Sequence, residues 1–429
     1  MGLEQEFFLV DGDGVVSDRA DDFLERCWEI AGEAGLDPEN FAPECVKNLV
    51  EVSTPPAASL EDLSEAYLTS VETALRAAKE IGLRLYPLAT YPLRITPILR
   101  EADHYRLQSR TLGPEKFLHA GRCAGVHLHL EVAPEAIDER VGVAYDCPPE
   151  DRRELLNVYN LATALDPAII ALTKACPFYE GRMTEIAART AYYRGSPRLA
   201  PYGLYGELEE VGGLRPYAED AERLVELQFG RYHAWLSAMD RAGVGRRLFF
   251  EAGDGMLDAA WNPVRLNGHG TVELRGIDSG YPAVVLETSA LIRAVARRVA
   301  EEDLTVTPVA GLMTFEVEGR SLLVPGFEDL DVDLFREAAT LGAASTEVVA
   351  YLDSILEFAN IEAEDLKNLK PDGEYRCPET KILEDFGVEV SQDTGLRIVR
   401  EACDELEEQI HYLQNRQKTT SAKAGADEN

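Results

Sequence analysis

Histidine is scarce in this chain, with seven in 429 residues. The seven cysteines (Cys27, Cys45, Cys123, Cys147, Cys176, Cys377 and Cys403) are odd in number and scattered, and no pair has the spacing of a zinc knuckle. They read as reduced, mostly buried thiols in a cytoplasm. No apolar run reads as long enough to cross a bilayer, and the N-terminus opens into a strand-like segment without a leader pattern. Basic residues are short as well: 42 Lys and Arg face 77 Asp and Glu, a net charge of -35. That sign argues against nucleic acid or an anionic membrane as a partner. Walker-A, kinase and dinucleotide signatures are all missing, so a nucleotide would need another scaffold. Asp11-Gly12-Asp13-Gly14 is a hairpin-type turn; it lacks the glycine and closing glutamate of a calcium loop.

What is present is enough apolar material, 45%, for a substantial core. Leu3–Val10, Leu49–Thr54, Leu83–Leu88 and Gly270–Asp278 read as strands, and Arg247–Glu251 as a further one. Helices are expected over Asp21–Ala34, Pro149–Ala175 (interrupted at Pro167), Ala218–Ala242, Pro282–Asp303, Asp331–Leu341, Ser345–Asn360 and Thr394–Gln417. Between Ser59 and Gly82 an apolar stripe runs through Leu63, Tyr67, Val71, Ala74 and Ala78, with Ser59 as its N-cap. Strands and helices mix without strict βαβ order. That predicts an α+β fold with a mostly antiparallel sheet and helices on one side. Residues 1–417 read as one unit, mainly helical from 311 onward, and 418–429 as a disordered tail.

The chemistry sits on alternating strands. In Gly125-Val126-His127-Leu128-His129-Leu130-Glu131-Val132 the apolar residues take one face, and His127, His129 and Glu131 the other. Three more strands share this habit: Glu4 and Glu6, then Glu51 between Val50 and Val52, then Thr271, Glu273 and Arg275. One such strand is a wet sheet face. Four suggest a face that lines a site, because close carboxylates repel and need cations. Carboxylates with an occasional imidazole suit Mg²⁺ or Mn²⁺ better than zinc.

Five segments in order carry a resemblance. They are Gly2-Leu3-Glu4-Gln5-Glu6-Phe7, Val50-Glu51-Val52-Ser53-Thr54-Pro55, Gly125-Val126-His127-Leu128-His129, Cys176-Pro177-Phe178-Tyr179-Glu180-Gly181-Arg182, and Trp261-Asn262-Pro263-Val264-Arg265 with Gly270–Asp278. Together they resemble the glutamate–cysteine ligase family 2, or carboxylate-amine ligases. The resemblance implies a glutamine-synthetase-like catalytic domain, a curved antiparallel sheet whose concave face binds ATP, divalent metal and L-glutamate. It implies activation of the γ-carboxylate by ATP and attack by an amine, that of L-cysteine in the family's namesake. By the same resemblance Glu4, Glu6, Glu44, Glu51, His127 and Glu273 are metal-ligand positions, and His129 a supporting one. Arg275, Arg265 and Glu273 take catalytic roles, while Arg189, Arg194 and Arg265 face substrate.

Two stretches depart from the family pattern, Gly181–Arg189 and Leu88-Ala89-Thr90-Tyr91-Pro92. They leave the amine acceptor open. So does the rival reading of His-x-His as the opening of a metal-dependent amidohydrolase, or of the scaffold as a nucleotide sensor. A homo-oligomer is neither required nor excluded by the sequence.

Overall fold

The computed structural model of the chain describes residues 1–253, 255–362 and 365–427, with side chains to residue 418. Its centre is a sheet of antiparallel strands: β1 (Gly2–Asp11), β2 (Phe41–Pro43), β3 (Leu49–Ser53), β4 (Leu83–Tyr86), β5 (Gly125–Glu131), β8 (Val264–Asn267) and β9 (Thr271–Asp278). The order across it is β2-β3-β1-β5-β9-β8, with β4 beside the far half of β1. Two small strands, β6 (Phe178–Tyr179) and β7 (Arg182–Met183), form a separate hairpin. A further sheet of β10 (Thr305–Val309), β11 (Glu316–Glu318) and β12 (Ser321–Pro325) was not anticipated, because its strands are short and half exposed.

The helices are α1 (Ala20–Ala34), α2 (Leu60–Glu80), α3 (Asp103–Leu112), α4 (Pro114–Phe117), α5 (Pro149–Thr173), α6 (Glu209–Gly212), α7 (Ala221–Arg241), α8 (Arg246–Glu251), α9 (Pro282–Glu301), α10 (Phe335–Thr340), α11 (Thr346–Ala359), α12 (Pro378–Phe386) and α13 (Gln392–Asp427). Local chemistry explains several of their ends. Ser59 accepts a hydrogen bond from the Asp62 amide at the start of α2, and Gly35 closes α1 with φ +73°.

One apolar face of the sheet, carrying Leu3, Phe7, Leu9, Val50, Val52, Val126 and Leu128, packs against α1, α2, α5, α9 and α11 in one core. On the opposite face β1 changes character along its length. Glu4 and Glu6 come first, then Phe8 and Val10, which enter a second apolar cluster with Tyr86, Trp235 and Tyr205. The site therefore occupies one end of that face and packed aromatics the other.

Four expectations need correction. Arg247–Glu251 lies in helix α8, not a strand. Helix α5 is long and apolar enough to pass for a membrane span, but its C-terminal half, Tyr159 to Thr173, is buried inside the fold. Pro167 lies inside that helix and does not break it. The tail continues α13 as helix to Asp427, because a helix docked through Ile398, Val399, Cys403, Leu406 and Ile410 elongates more easily than it nucleates; residues 428–429 lie outside the described ones.

Candidate active site

The four strands singled out by their charged faces are consecutive neighbours, β3-β1-β5-β9. Register does the rest. Glu6 lies opposite Glu51, Glu4 opposite His127, and His129 opposite Glu273. Directly opposed residues on a sheet face are close enough for their side chains to interact, so residues scattered over some 270 positions form one row. A bulge in the β5–β9 register between Val126 and Leu128 sets Arg275 and Gly276 against His127. Bulges re-aim side chains, and here Arg275 lands beside His127, its Nη1 3.3 Å from Nδ1.

His127 is the centre of the row. It is 4% exposed. Burial, then the Arg275 charge, lowers its pKa, so the ring is neutral near pH 7. Its Nδ1 lies 2.9 Å from Glu4 Oε2 and 3.7 Å from Glu273 Oε1, while Nε2 lies 3.7 Å from Glu6 Oε1. With the Nδ1 proton on Glu4, Nε2 presents a lone pair, and that buried nitrogen has no hydrogen-bond partner. Two groups of ligand atoms share this imidazole, Glu4–His127–Glu273 and Glu6–Glu51–His127. His129 sits behind, with Nδ1 2.9 Å from Thr271 Oγ1 and Nε2 3.2 Å from Glu4 Oε1, where it orients Glu4.

The carboxylates differ in kind. Burial would raise the pKa of Glu4, but hydrogen bonds to His127 and His129 pull it far below the usual carboxylate range. Burial, then the Glu4, Glu44 and Glu6 charges, push Glu51 well above it. Glu44 is pushed up to about 8 by burial and Glu6. It accepts from the Cys45 amide and lies outside both ligand groups, beside Glu6 on a cavity wall.

Glu273, fully buried, is heavily partnered: Oε2 accepts from Arg265 Nε at 2.6 Å and Asn267 Nδ2 at 2.5 Å, and Oε1 from Arg275 Nη1 at 2.5 Å. One acceptor position remains on Oε1, the oxygen that faces His127. The donor set fits a hard divalent ion: carboxylates that repel one another, an unpartnered Nε2 on His127, with that of His129 behind it, and no thiolate.

This predicts a pH signature. Glu44 and Glu51 have folded pKa values raised above their unfolded ones. Their contribution to stability is therefore full below about pH 4.5 and is lost as pH rises toward about 8. In EDTA the melting temperature should fall over that interval, and Mg²⁺ should largely abolish the fall while releasing protons. Melting curves in the two buffers check this; parallel pH profiles would count against cation binding here.

The row opens onto an enclosed cavity of about 100 Å³ whose walls include Glu6, Glu44, Tyr105, Cys123, Arg189 and Arg275. Arg275 turns a buried, unpartnered Nε there. The Arg189 guanidinium lies flat on Gly125, donates from Nη2 to the Arg275 carbonyl at 3.0 Å and sits 3.9 Å from Asp278. A Cβ at position 125 would stand 2.2 Å from Nη2, so only glycine leaves room for this arginine.

Arg194 shares a small crevice with Arg189 and Arg275 but is held by other partners. It pairs with buried Asp166 at 2.7 Å and lies over the Phe335 ring. Asp166 and Gly276, which together seat that end of β9, escaped the sequence reading, although an aspartate before proline in an apolar helix is a legible signal. All seven cysteines are free thiols, and burial raises the pKa of Cys123 and Cys45, as expected of packing groups, not nucleophiles.

The sequence matches the model of glutamate–cysteine ligase family 2 over residues 1–318. A protein of Halobacterium salinarum named glutamate–cysteine ligase is 29% identical over 294 residues, 66% of each chain. A Streptomyces coelicolor protein provisionally named glutamate–cysteine ligase 2 is 26% identical over 211 residues, 49% of this chain and 52% of that one. The matched regions thus span between half and two thirds of these relatives. Among solved structures, a bifunctional glutathione synthetase from Pasteurella multocida superposes with a TM-score of 0.56 at 16% identity, covering 96% of this chain and 52% of that one. That likeness is one of fold.

Proposed function

The chain belongs to the glutamate–cysteine ligase family 2, and on that premise we propose that it is an ATP-dependent ligase joining the γ-carboxylate of L-glutamate to an amine, with L-cysteine the first acceptor to test. The observation that carries this reading is the unpartnered Nε2 of His127 in a ligand group with Glu6 and Glu51, where Glu6 also lines a cavity with Arg189 and Arg275. Residues 1–417 act as one catalytic unit, working in the cytoplasm.

Glu4, Glu6, Glu51 and His127 would hold Mg²⁺ or Mn²⁺, with Glu44 and Glu273 flanking them. Bound there, the cations would offset the nucleotide phosphates and polarise the phosphoryl group being transferred. An oxygen of the γ-carboxylate bonds to the terminal phosphorus of ATP as the bond to ADP breaks. The amine nitrogen then bonds to the acyl carbon, phosphate departs with the C–O electron pair, and the nitrogen loses a proton.

This chain's own groups position these partners. Arg275 donates from its free Nε toward the oxyanion that develops, while its Nη1 stays on Glu273. Arg189 meets a substrate carboxylate on the cavity floor. Arg265 holds Glu273 in line from β8 and reaches the phosphate side. Arg194, spent on Asp166, holds the turn that carries Arg189. A carboxylate is a poor acylating agent, so the buried cavity also protects the activated acyl group from water.

ADP release measured with L-glutamate across an amine panel tests the proposal. Release should require ATP, a divalent cation and an amine, with L-cysteine among the best acceptors. Turnover of amides without ATP would indicate a hydrolase instead, and binding without turnover a sensor.

A further inference from the structure

A separate cavity lies on the helix side of the sheet, behind the metal face. It measures about 440 Å³ and opens between the N-terminal half of α5, the C-terminal half of α9 and the end of β5. A volume of that order suits a small ligand. Leu130, Val158, Leu161, Val299 and Leu304 give it apolar walls. Leu130 follows His129 on β5 and points to the opposite face, so the cavity backs onto the strand that carries His127.

The charged groups around it are unevenly paired. Arg153 pairs with Asp303, Arg297 with Glu301 at 3.5 Å, and Glu131 with the Met1 amino group at 3.9 Å. Arg293 on α9 has no ion pair among the described residues. Its Nη2 donates to the Ala58 carbonyl at 2.5 Å, and its Nη1 is buried without a partner. A guanidinium fixed at one end and unfilled at the other has capacity for a carboxylate. On α5, Glu150, Asp151 and Glu154 line the same cavity and also lack ion pairs among the described residues. Glu150 and Asp151 lie in the first turn, where the helix dipole accounts for them. Glu154 lies beyond that turn. Partial burial, then the Asp151 charge, raises its pKa, and an ammonium beside it would offset both effects.

We propose that this cavity binds an apolar amino acid as its zwitterion, with the carboxylate on Arg293, the ammonium on Glu154 and the side chain against Leu130, Val158 and Leu161. One unpaired cation and one unexplained acid, from two helices that wall one apolar space, match a ligand carrying both charges on an apolar body. An apolar acid alone would leave Glu154 uncompensated, and an apolar amine alone would leave Arg293 unfilled. The site lies on the reverse of the sheet from the Arg189 cavity and does not rest on the ligase reading.

The test is the melting temperature of the whole chain titrated with L-phenylalanine, with 3-phenylpropanoate, which lacks the amine, and with phenethylamine, which lacks the carboxylate. L-Phenylalanine at about 100 times its dissociation constant should raise the melting temperature by roughly 3 °C, saturably. Each half-molecule should bind at least about tenfold more weakly, because one charged hydrogen-bonding partner is lost. Arg293→Gln and Glu154→Gln should each weaken binding of L-phenylalanine by a similar factor. Glu154 is exposed, so its variant tests the site even if Arg293→Gln perturbs the fold. His127→Ala should keep the response, which separates this cavity from an amine bound at the metal face.

No saturable response, a response that either glutamine variant keeps in full, or one that His127→Ala abolishes overturns the proposal. A half-molecule that binds as tightly as L-phenylalanine overturns the zwitterion assignment. If no amine supports ADP release yet L-phenylalanine stabilises wild type and neither glutamine variant, the ligase reading falls and the amino-acid site stands.

Discussion

Glu273→Gln should lose turnover by at least about 1,000-fold and should also lose stability. The first effect follows from position, since the carboxylate lies 3.7 Å from His127 and fixes both Arg265 and Arg275. The second follows from burial. Glutamine preserves shape, but one of its two positions becomes an N–H₂ facing a guanidinium. Two half-buried arginines then share no full negative charge, and breaking a fully buried pair costs about 3–5 kcal/mol, an upper bound here. Sequence alone predicts loss of activity with little loss of fold. The packing of Glu273 at 0% exposure changes the second half of that expectation. Steady-state ADP release and urea denaturation together check it. Wild-type rates would remove Glu273 from the chemistry, and unchanged stability would mean that water or another acid compensates the arginines.

His127→Ala should cost more than the roughly 10–100-fold that losing a supporting group typically costs, and should do so without unfolding the protein. It deletes an unpartnered nitrogen of the residue that both ligand groups share, and also the donor that holds Glu4. The stabilisation of the EDTA-treated protein by Mg²⁺ should vanish with it. His129→Ala is the control. That ring touches Thr271 and Glu4 and lies in neither ligand group, so its loss should fall within the supporting range and leave a weakened Mg²⁺ response. Equal effects of the two variants on the Mg²⁺-dependent melting temperature would contradict the division of roles drawn from the geometry.

Much of the site was legible because strands advertise their faces. Glu4, Glu6, Glu51, His127 and Glu273 each sit in an apolar-polar alternation, and an alternation that carries acids is hard to explain by solvation alone four times over. Glu44 has no such signature. It follows a three-residue strand, and its raised pKa comes from tertiary burial beside Glu6, which no local pattern encodes. Sequence put Arg189 first as the substrate-facing arginine and Arg194 next. Their fates differ because one lies on Gly125 beside the cavity and the other is captured by Asp166 from α5.

The sequence by itself determined the α+β layout, the strands that carry chemistry and the identity of the residues on their polar faces. Those are local properties, written in periodicity of two and in caps and turns. Tertiary structure alone decided that the four charged strands are neighbours, that register sets Glu4 against His127 and Glu6 against Glu51, and that a bulge brings Arg275 to His127. It also decided which charges are paired. Pairing depends on distance and desolvation between residues far apart in the chain, and neither is a property of any single segment.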